Sequence, residues 1–488
     1  MLSENCQEFS TENELIDKSE KSDDEQLENV ENKIKNDGAE RKMLRNSLLY
    51  AVEEGEVGSL VKLFFRDQKR TKILNLVRQL KYFNRGYARR FFAAAGEILA
   101  SLISEECHIP ASAFTSDDEN DREKSARSPE MVPPEAIAPD NNSTEALLFM
   151  RACSIIVGSY LDGLVDNKQT NVSEEVLTVA EHLHGIMISL QSCGPEGIMT
   201  QTSVCTMCQT WWHGNFENKE LLVTQLVPTL IVKSLEINSK AINVKNVYAI
   251  RTALTLFDFE DGSISYLKSL LLKTVLCPLY HKVPEGAKFI SFLFQVHESL
   301  VIELHKYIRA QIPQAKKPML ESFRDIYTRA WKESPEETRK CIEEEALQDL
   351  MYSSLYFEKA SSVRAVRALL TSFHQGKNLP EIDQLLFKMY SPILWRALKA
   401  ANPSVRVNAS VILAETFPLC DQSDSNGQFQ ECLDRTVNAL LSLLRDSYPR
   451  VRVAGSDAAT RILHDYWTVL PSESIRLVLN RKCFIICD

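Results

Sequence analysis

Two stretches near the end of this chain are copies of one another. Leu398-Lys-Ala-Ala-Asn-Pro-Ser-Val-Arg-Val-Asn-Ala-Ser recurs as Leu444-Arg-Asp-Ser-Tyr-Pro-Arg-Val-Arg-Val-Ala-Gly-Ser, 46 residues on. Six positions are identical: Leu398/Leu444, Pro403/Pro449, Val405/Val451, Arg406/Arg452, Val407/Val453 and Ser410/Ser456. A repeat of this length is one supersecondary unit stacked on the next, because a single unit cannot bury its own apolar face. The local chemistry gives two antiparallel helices. The first ends near Leu398 or Leu444. Pro403 or Pro449 then stops it and opens the second, since proline lacks an N–H and its φ suits the first helical position. The second helix buries Val405, Ala409, Ile412, Leu413 and Thr416, and the later copy buries Val451, Gly455, Ala458, Ala459 and Ile462. Small residues at the fourth step, and in the later copy also at the seventh, let neighbouring helices approach closely.

The period and the Pro-x-Val-Arg joint resemble the HEAT repeat. In HEAT joints the arginine ties one repeat to the next, which makes Pro403, Val405, Arg406, Pro449, Val451 and Arg452 structural joint residues rather than ligand contacts. Asp446 stands in the second joint as in many HEAT joints, whereas the first joint has Ala400. Apolar residues at three- and four-residue steps predict further helices through most of the chain. They include Thr71–Tyr82, Tyr87–Ser104, 202–213, 286–312 and 336–357. No long run alternates with strand period. Glycine is scarce, with 16 in 488 residues, against the needs of β turns and phosphate loops. The expected fold class is all-α: a HEAT-repeat α-solenoid with an acidic N-terminal tail and one insertion, both disordered.

Composition divides the chain. Residues 1–40 hold 13 acidic and 4 basic side chains and few apolar ones, too little to offset ordering entropy. Residues 41–108 read as N-terminal helical repeats. Residues 109–144 read as an acidic, proline-rich insertion, with Ser128-Pro129 a candidate site for a proline-directed kinase. Residues 145–470 read as the HEAT array and 471–488 as an atypical end. The net charge of −10 argues against a wholly basic nucleic-acid binder. No secretory signal is legible at the N-terminus, and no uninterrupted apolar run reaches membrane-spanning length. The 12 cysteines mostly sit in apolar helical runs, as reduced core cysteines do.

No phosphate loop, dinucleotide fingerprint or His-Glu-x-x-His motif occurs. The expectation is a protein that is not an enzyme, with no cofactor, no metal and no small-molecule substrate. Cys205-Thr-Met-Cys208, with His213 after it, has no second ligand pair and reads as core. His297 with Glu298 and Glu303 with His305 read as neighbours on charged faces. The segment from Arg66 to Arg90 stands out. It carries Arg66, Lys69, Arg70, Lys72, Arg78, Lys81, Arg85, Arg89 and Arg90 against Asp67, a net +8 in an acidic chain. Tyr82, Phe83, Tyr87, Phe91 and Phe92 interleave. Lys69, Arg70, Lys72, Arg78, Lys81, Arg85, Arg89 and Arg90 are therefore candidate DNA contacts through counterion release. The alternative is a solvated helix face whose aromatics are core.

A longer likeness runs in order through Ala287-Lys-Phe-Ile-Ser-Phe-Leu-Phe, His297-Glu-Ser-Leu-Val-Ile-Glu-Leu-His-Lys and Asp325-Ile-Tyr-Thr-Arg-Ala-Trp-Lys. It continues through Tyr390-Ser-Pro-Ile-Leu-Trp-Arg-Ala-Leu-Lys, Asp446-Ser-Tyr-Pro-Arg-Val-Arg-Val-Ala-Gly and Tyr466-Trp. These stretches, from about residue 245 to 470, resemble the G-type non-SMC HEAT subunits of condensin II. The resemblance implies a nuclear, chromosomal scaffold. It would hold the kleisin subunit and, through it, the coiled-coil SMC ATPases, contact double-stranded DNA and help condense mitotic chromosomes, without a membrane. Family members continue with more repeats, whereas this chain stops at Arg481-Lys-Cys-Phe-Ile-Ile-Cys-Asp. It therefore reads as the N-terminal part of such a scaffold, with a poor cap that predicts self-association. A generic HEAT adaptor binding protein partners only, for transport or a phosphatase, is the other reading.

Overall fold

Proline opens many of the helices. It occupies the first or second helical position at Pro195, Pro278, Pro284, Pro318, Pro380, Pro403 and Pro449. There its missing N–H costs nothing and its φ is already helical. The computed structural model describes residues 38–67, 69–106, 141–420, 426–468 and 470–486. Among these residues the chain is all-α, with no strand. They fall into two compact units, within Met1–Thr229 and Leu230–Asp488, a division inside the 145–470 stretch that the sequence reads as one array.

The first unit contains α1 (38–53), α2 (Val57–Val61), α3 (Arg70–Arg78) and α4 (Arg85–Glu106). After the insertion come α5 (Asn141–Asp166), α6 (Glu174–Gly185) and α7 (Gly194–His213). α2 continues as a π-helical turn over Lys62–Arg66. α3, α5 and α7 form one row and α4 and α6 the other. The helices before the insertion thus stack directly on those after it. α5 is long and apolar enough to cross a membrane by length and composition, although charged residues interrupt its apolar run. In the fold it is a core helix: Phe149, Ala152, Cys153, Ile156, Val157 and Leu161 are buried. Gly163 explains how closely its end packs. A Cβ there would meet the Arg78 carbonyl oxygen at 2.4 Å.

α8 (Leu226–Leu235) spans the division in sequence. The second unit continues with α9 (Ala241–Ala249), α10 (Ser265–Leu276), α11 (Pro278–Lys282), α12 (Pro284–Val296) and α13 (Glu298–Gln311). Next come α14 (Lys317–Glu333), α15 (Glu336–Cys341), α16 (Gln348–Tyr356), α17 (Ala360–Gln375) and α18 (Pro380–Ala397). It ends with α19 (Pro403–Thr416), α20 (Asn426–Leu444), α21 (Pro449–Tyr466) and α22 (Ser472–Ile486). α12, α14, α17, α19 and α21 pack in sequence as one row. α16 packs on α18, and α20 on α22, in the other. Two rows of antiparallel helices are the HEAT arrangement.

Several helix bounds differ from those the periodicity predicts. The first basic helix ends at Arg78, not Tyr82, and α4 starts at Arg85. Helix resumes at Asn141, four residues inside the expected insertion. Gly194-Pro195 begins α7 instead of forming a joint. The 286–312 run is two helices, because His297 is extended at φ −158° and its ring accepts the Ser299 N–H at 3.2 Å. The 336–357 run is continuous but holds a π-helical turn at Ile342–Leu347. Ser128 lies outside the described residues.

Candidate interaction surfaces

The basic segment is built from the π-helical turn, α3, the 79–84 turn and the start of α4. Its aromatics are mostly core. Phe83, Phe91 and Phe92 are fully buried and meet one another edge to face at 5.1–6.1 Å, with Tyr160 of α5 joining at 5.7–5.8 Å. Tyr87 donates its hydroxyl to the Arg45 carbonyl, and burial pushes its phenol up to about 12. These rings join the 79–84 turn and α4 to α5 and offer no stacking platform.

The cations point outward, and most meet carboxylates of neighbouring helices. Arg66 pairs with Glu145 at 3.0 Å, Lys72 with Glu40 at 2.7 Å, Arg78 with Asp162 at 2.6 Å, Arg89 with Glu175 at 3.1 Å and Arg90 with Glu53 at 2.6 Å. Lys69 lies 3.9 Å from Asp67. Such exposed pairs add only about 0–1 kcal/mol each, so their main effect is to cancel charge. Arg70, Lys81 and Arg85 have no carboxylate within ion-pairing distance among the described residues. Arg70 lies over the Phe64 ring and Lys81 over Tyr82, at 5.8 and 5.5 Å. Arg70 and Arg78 border a groove of about 480 Å³ floored by Ser154, Gly158, Ser159, Ser203 and Thr206. Arg85 borders a second, of about 520 Å³, with Asn84, Gln169, Thr170 and Asn171.

The joint residues behave differently. Pro403 and Pro449 begin α19 and α21, and Val405 and Val451 are buried. Arg406 makes a two-pronged ion pair to Asp446, at 2.7 and 2.9 Å, and also donates to the Ala400 and Ala401 carbonyls at 2.6 and 2.9 Å. One side chain thus closes its own joint and grips the next. The hydrogen bond from Arg406 holds the Asp446 carboxyl below its usual range. Arg452 closes its own joint alone, through the Asp446 and Ser447 carbonyls at 3.1 and 3.3 Å. Ser362-Val363-Arg364 lies in the first turns of α17, which opens without a proline. Arg364 reaches only the Ala360 carbonyl, at 3.4 Å, and Ala400 supplies no carboxylate where the next joint has Asp446.

Two buried polar networks run across the repeats, and pattern reading missed both. His305 is only 5% exposed, which corrects its reading as a charged-face residue beside Glu303. Its ring contacts the Tyr327 hydroxyl at 2.8 Å and Asp349 at 3.1 Å, and Arg309 completes the set at 3.1 Å from Asp349. His374 repeats the plan: Tyr390 hydroxyl at 3.0 Å, Glu415 at 3.0 Å, with Arg367 on the same carboxylate. Burial alone would raise the Glu415 carboxyl. Hydrogen bonds and charge from His374 and Arg367 outweigh it and hold Glu415 down to about 2. The first network draws on α13, α14 and α16 and the second on α17, α18 and α19, so no sequence window shows either. Cys205 and Cys208 are buried in α7, with the Cys205 sulfur 3.7 Å from that of Met187, while His213 is exposed.

These networks fall inside the segment that carries the relationship to known proteins. Residues 273–421 match the family described as condensin II non structural maintenance of chromosomes subunit. Condensin-2 complex subunit G2 of Homo sapiens is 31% identical over 69% of this chain and 30% of its own length. The Mus musculus protein is 31% identical over 65% of this chain and 28% of its own length. That of Xenopus laevis is 30% identical over 63% and 26%. Over these residues the chain is similar to the condensin II G-type non-SMC subunits. It spans less than a third of the length of these relatives. The family match runs from the end of α10 through α19 and includes Arg406, whose partner Asp446 lies beyond it. None of these matches is to an enzyme family.

Proposed function

We propose that this chain is a non-catalytic HEAT scaffold of condensin II. In this reading it sits on chromosomes in the nucleus, holds the kleisin subunit and through it the coiled-coil SMC ATPases, and contributes to mitotic condensation. The observation that carries the reading is the match over residues 273–421, combined with helix rows that leave broad faces for macromolecules. Double-stranded DNA is the second partner, met by the basic segment. Arg70, Lys81 and Arg85 would contact phosphates first, since the paired cations must exchange carboxylates for phosphates. Each contact adds about 0.9 to the slope of log affinity against log salt. Lys81→Glu combined with Arg85→Glu should weaken binding to duplex DNA and flatten that slope by about 2. An unchanged slope refutes the DNA contact.

One observation favours a narrower reading, an adaptor with protein ligands only. Six of the nine cations from Arg66 to Arg90 are already paired with carboxylates, which leaves less field for nucleic acid than the sequence count implies. The same salt titration separates the two readings. Ser128 phosphorylation is part of the proposal as a regulatory mark, checked by phosphopeptide mapping from mitotic cells.

A further inference from the structure

The groove beside Arg85 differs from the others in its lining. It lies between the 79–84 turn, the start of α4, the C-terminal half of α5 and the connection that follows α5, and holds about 520 Å³. Among the described residues no carboxylate lines it. By contrast, Asp162 borders the groove beside Arg70, and Glu40 the one between α1 and α3. Glu344, Glu345 and Asp349 border the one beside His305.

Its polar groups are mostly donors left without a partner. Tyr160 lines it and is only 3% exposed. Phe83 and Phe92 pack on its ring at 5.8 and 5.7 Å, and its hydroxyl has no hydrogen-bond partner among the described residues. Burial raises the phenol against the field of Arg85, so the hydroxyl keeps its proton and can donate. A buried hydroxyl without a partner is costly, and folds keep one where something else meets it. Asn84 caps α4 through its Oδ1, which accepts the Tyr87 N–H at 3.0 Å, so its amide N–H groups stay available. Gln169 and Thr170 are exposed at the rim, and Asn171 turns its amide to the Glu217 carboxylate. α4 begins at Arg85 with no acidic residue in its first turn, so the positive end of its dipole is uncompensated at the groove.

We propose that this groove binds the phosphate of a phosphoserine or phosphothreonine in a partner protein. Arg85 supplies the charge, and the Tyr160 hydroxyl, the Asn84 and Gln169 amides and the Thr170 hydroxyl supply the remaining donors. A phosphate monoester brings three acceptor oxygens and about −1.5 to −2 charge at neutral pH, which suits this many donors better than the two oxygens of a carboxylate. The recess selects the source of the phosphate. A phosphorylated side chain projects from its own backbone and can reach a hydroxyl below the surface. A duplex phosphodiester is flanked by two sugars on a convex strand and cannot. The inference does not rest on the DNA reading: Arg85 serves both, whereas Tyr160 and Gln169 serve only the phosphopeptide.

The test passes a degenerate phosphoserine and phosphothreonine peptide library over the immobilised full chain, beside the same library unphosphorylated, with retained peptides read by mass spectrometry. The expected result is selective retention of the phosphorylated library, released by free O-phospho-L-serine. Tyr160→Phe and Arg85→Gln should each lower that retention about tenfold, and Arg70→Gln, in the other groove, should leave it unchanged. Tyr160→Phe should leave duplex DNA binding as it was. Gln169→Ala, on an exposed connection, keeps the test decisive should Tyr160→Phe fail to fold. Equal retention of the two libraries overturns the proposal. So does retention that Arg70→Gln lowers as much as Arg85→Gln while Tyr160→Phe and Gln169→Ala leave it intact, since that is surface charge alone. Loss of duplex DNA binding in Tyr160→Phe without any phosphopeptide retention assigns the groove to DNA and overturns it as well.

Discussion

At the scale of single residues, two charged contacts do most to fix one repeat on the next. Arg406 and Asp446 are both largely buried and share two hydrogen bonds. Removing one partner strands the other, a loss of about 3–5 kcal/mol for a fully buried pair. Here Arg406→Ala or Asp446→Ala should cost about 2–3 kcal/mol, and the double variant less than the sum of the two. Thermal unfolding of the four-member cycle checks this. Glu415 makes a pH prediction. Its carboxyl falls from 4.5 to about 2 on folding, so the unfolded chain binds the proton more readily. The stabilisation is complete above pH 4.5 and lost as pH falls toward 2, about 3 kcal/mol in all. Glu415→Gln should remove it, flattening the stability curve between pH 4.5 and 2. Proline, valine and arginine at the joints were legible in the sequence because they fall in one window at a fixed offset. His305 and His374 were not, since their partners come from helices 16 to 44 residues away.

At the scale of elements, close approach and charge pairing decide what the helices can do. α3 ends against α5 at Gly163, where any Cβ overlaps the Arg78 backbone. Gly163→Val should therefore cost about 2–4 kcal/mol through forced separation of the two helices, read as a lowered melting temperature. Gly455 plays the same part between α21 and α20, with Leu443 2.8 Å from a built Cβ. In that case the small residue was visible in the repeat itself. The basic segment was legible as a charge run but not as a surface. Its compensating acids, Glu40, Glu53, Glu145, Asp162 and Glu175, lie 32 to 86 residues away in sequence. Arg89→Glu is accordingly a useful contrast to Arg85→Glu. The first breaks a pair with Glu175 and should lower stability slightly, by about 0.5–1 kcal/mol. The second should leave stability unchanged while weakening DNA binding and flattening its salt dependence.

At the scale of the whole molecule, the repeat period fixed the class of fold from only two joints, because a 46-residue helix pair has few other ways to bury itself. The division at Thr229 and Leu230 was hidden, since apolar periodicity runs through it without interruption. The packing of α3 on α5 across the insertion was equally hidden, because strings of acidic residues and prolines look like a domain boundary whether or not the helices beside them touch. The central claim is that this chain serves condensin II as a scaffold. Affinity capture of the tagged full chain from mitotic cells, read by mass spectrometry, tests it most directly. The account predicts a kleisin and two coiled-coil SMC ATPases among the captured proteins. Capture of transport or phosphatase components without them would contradict it.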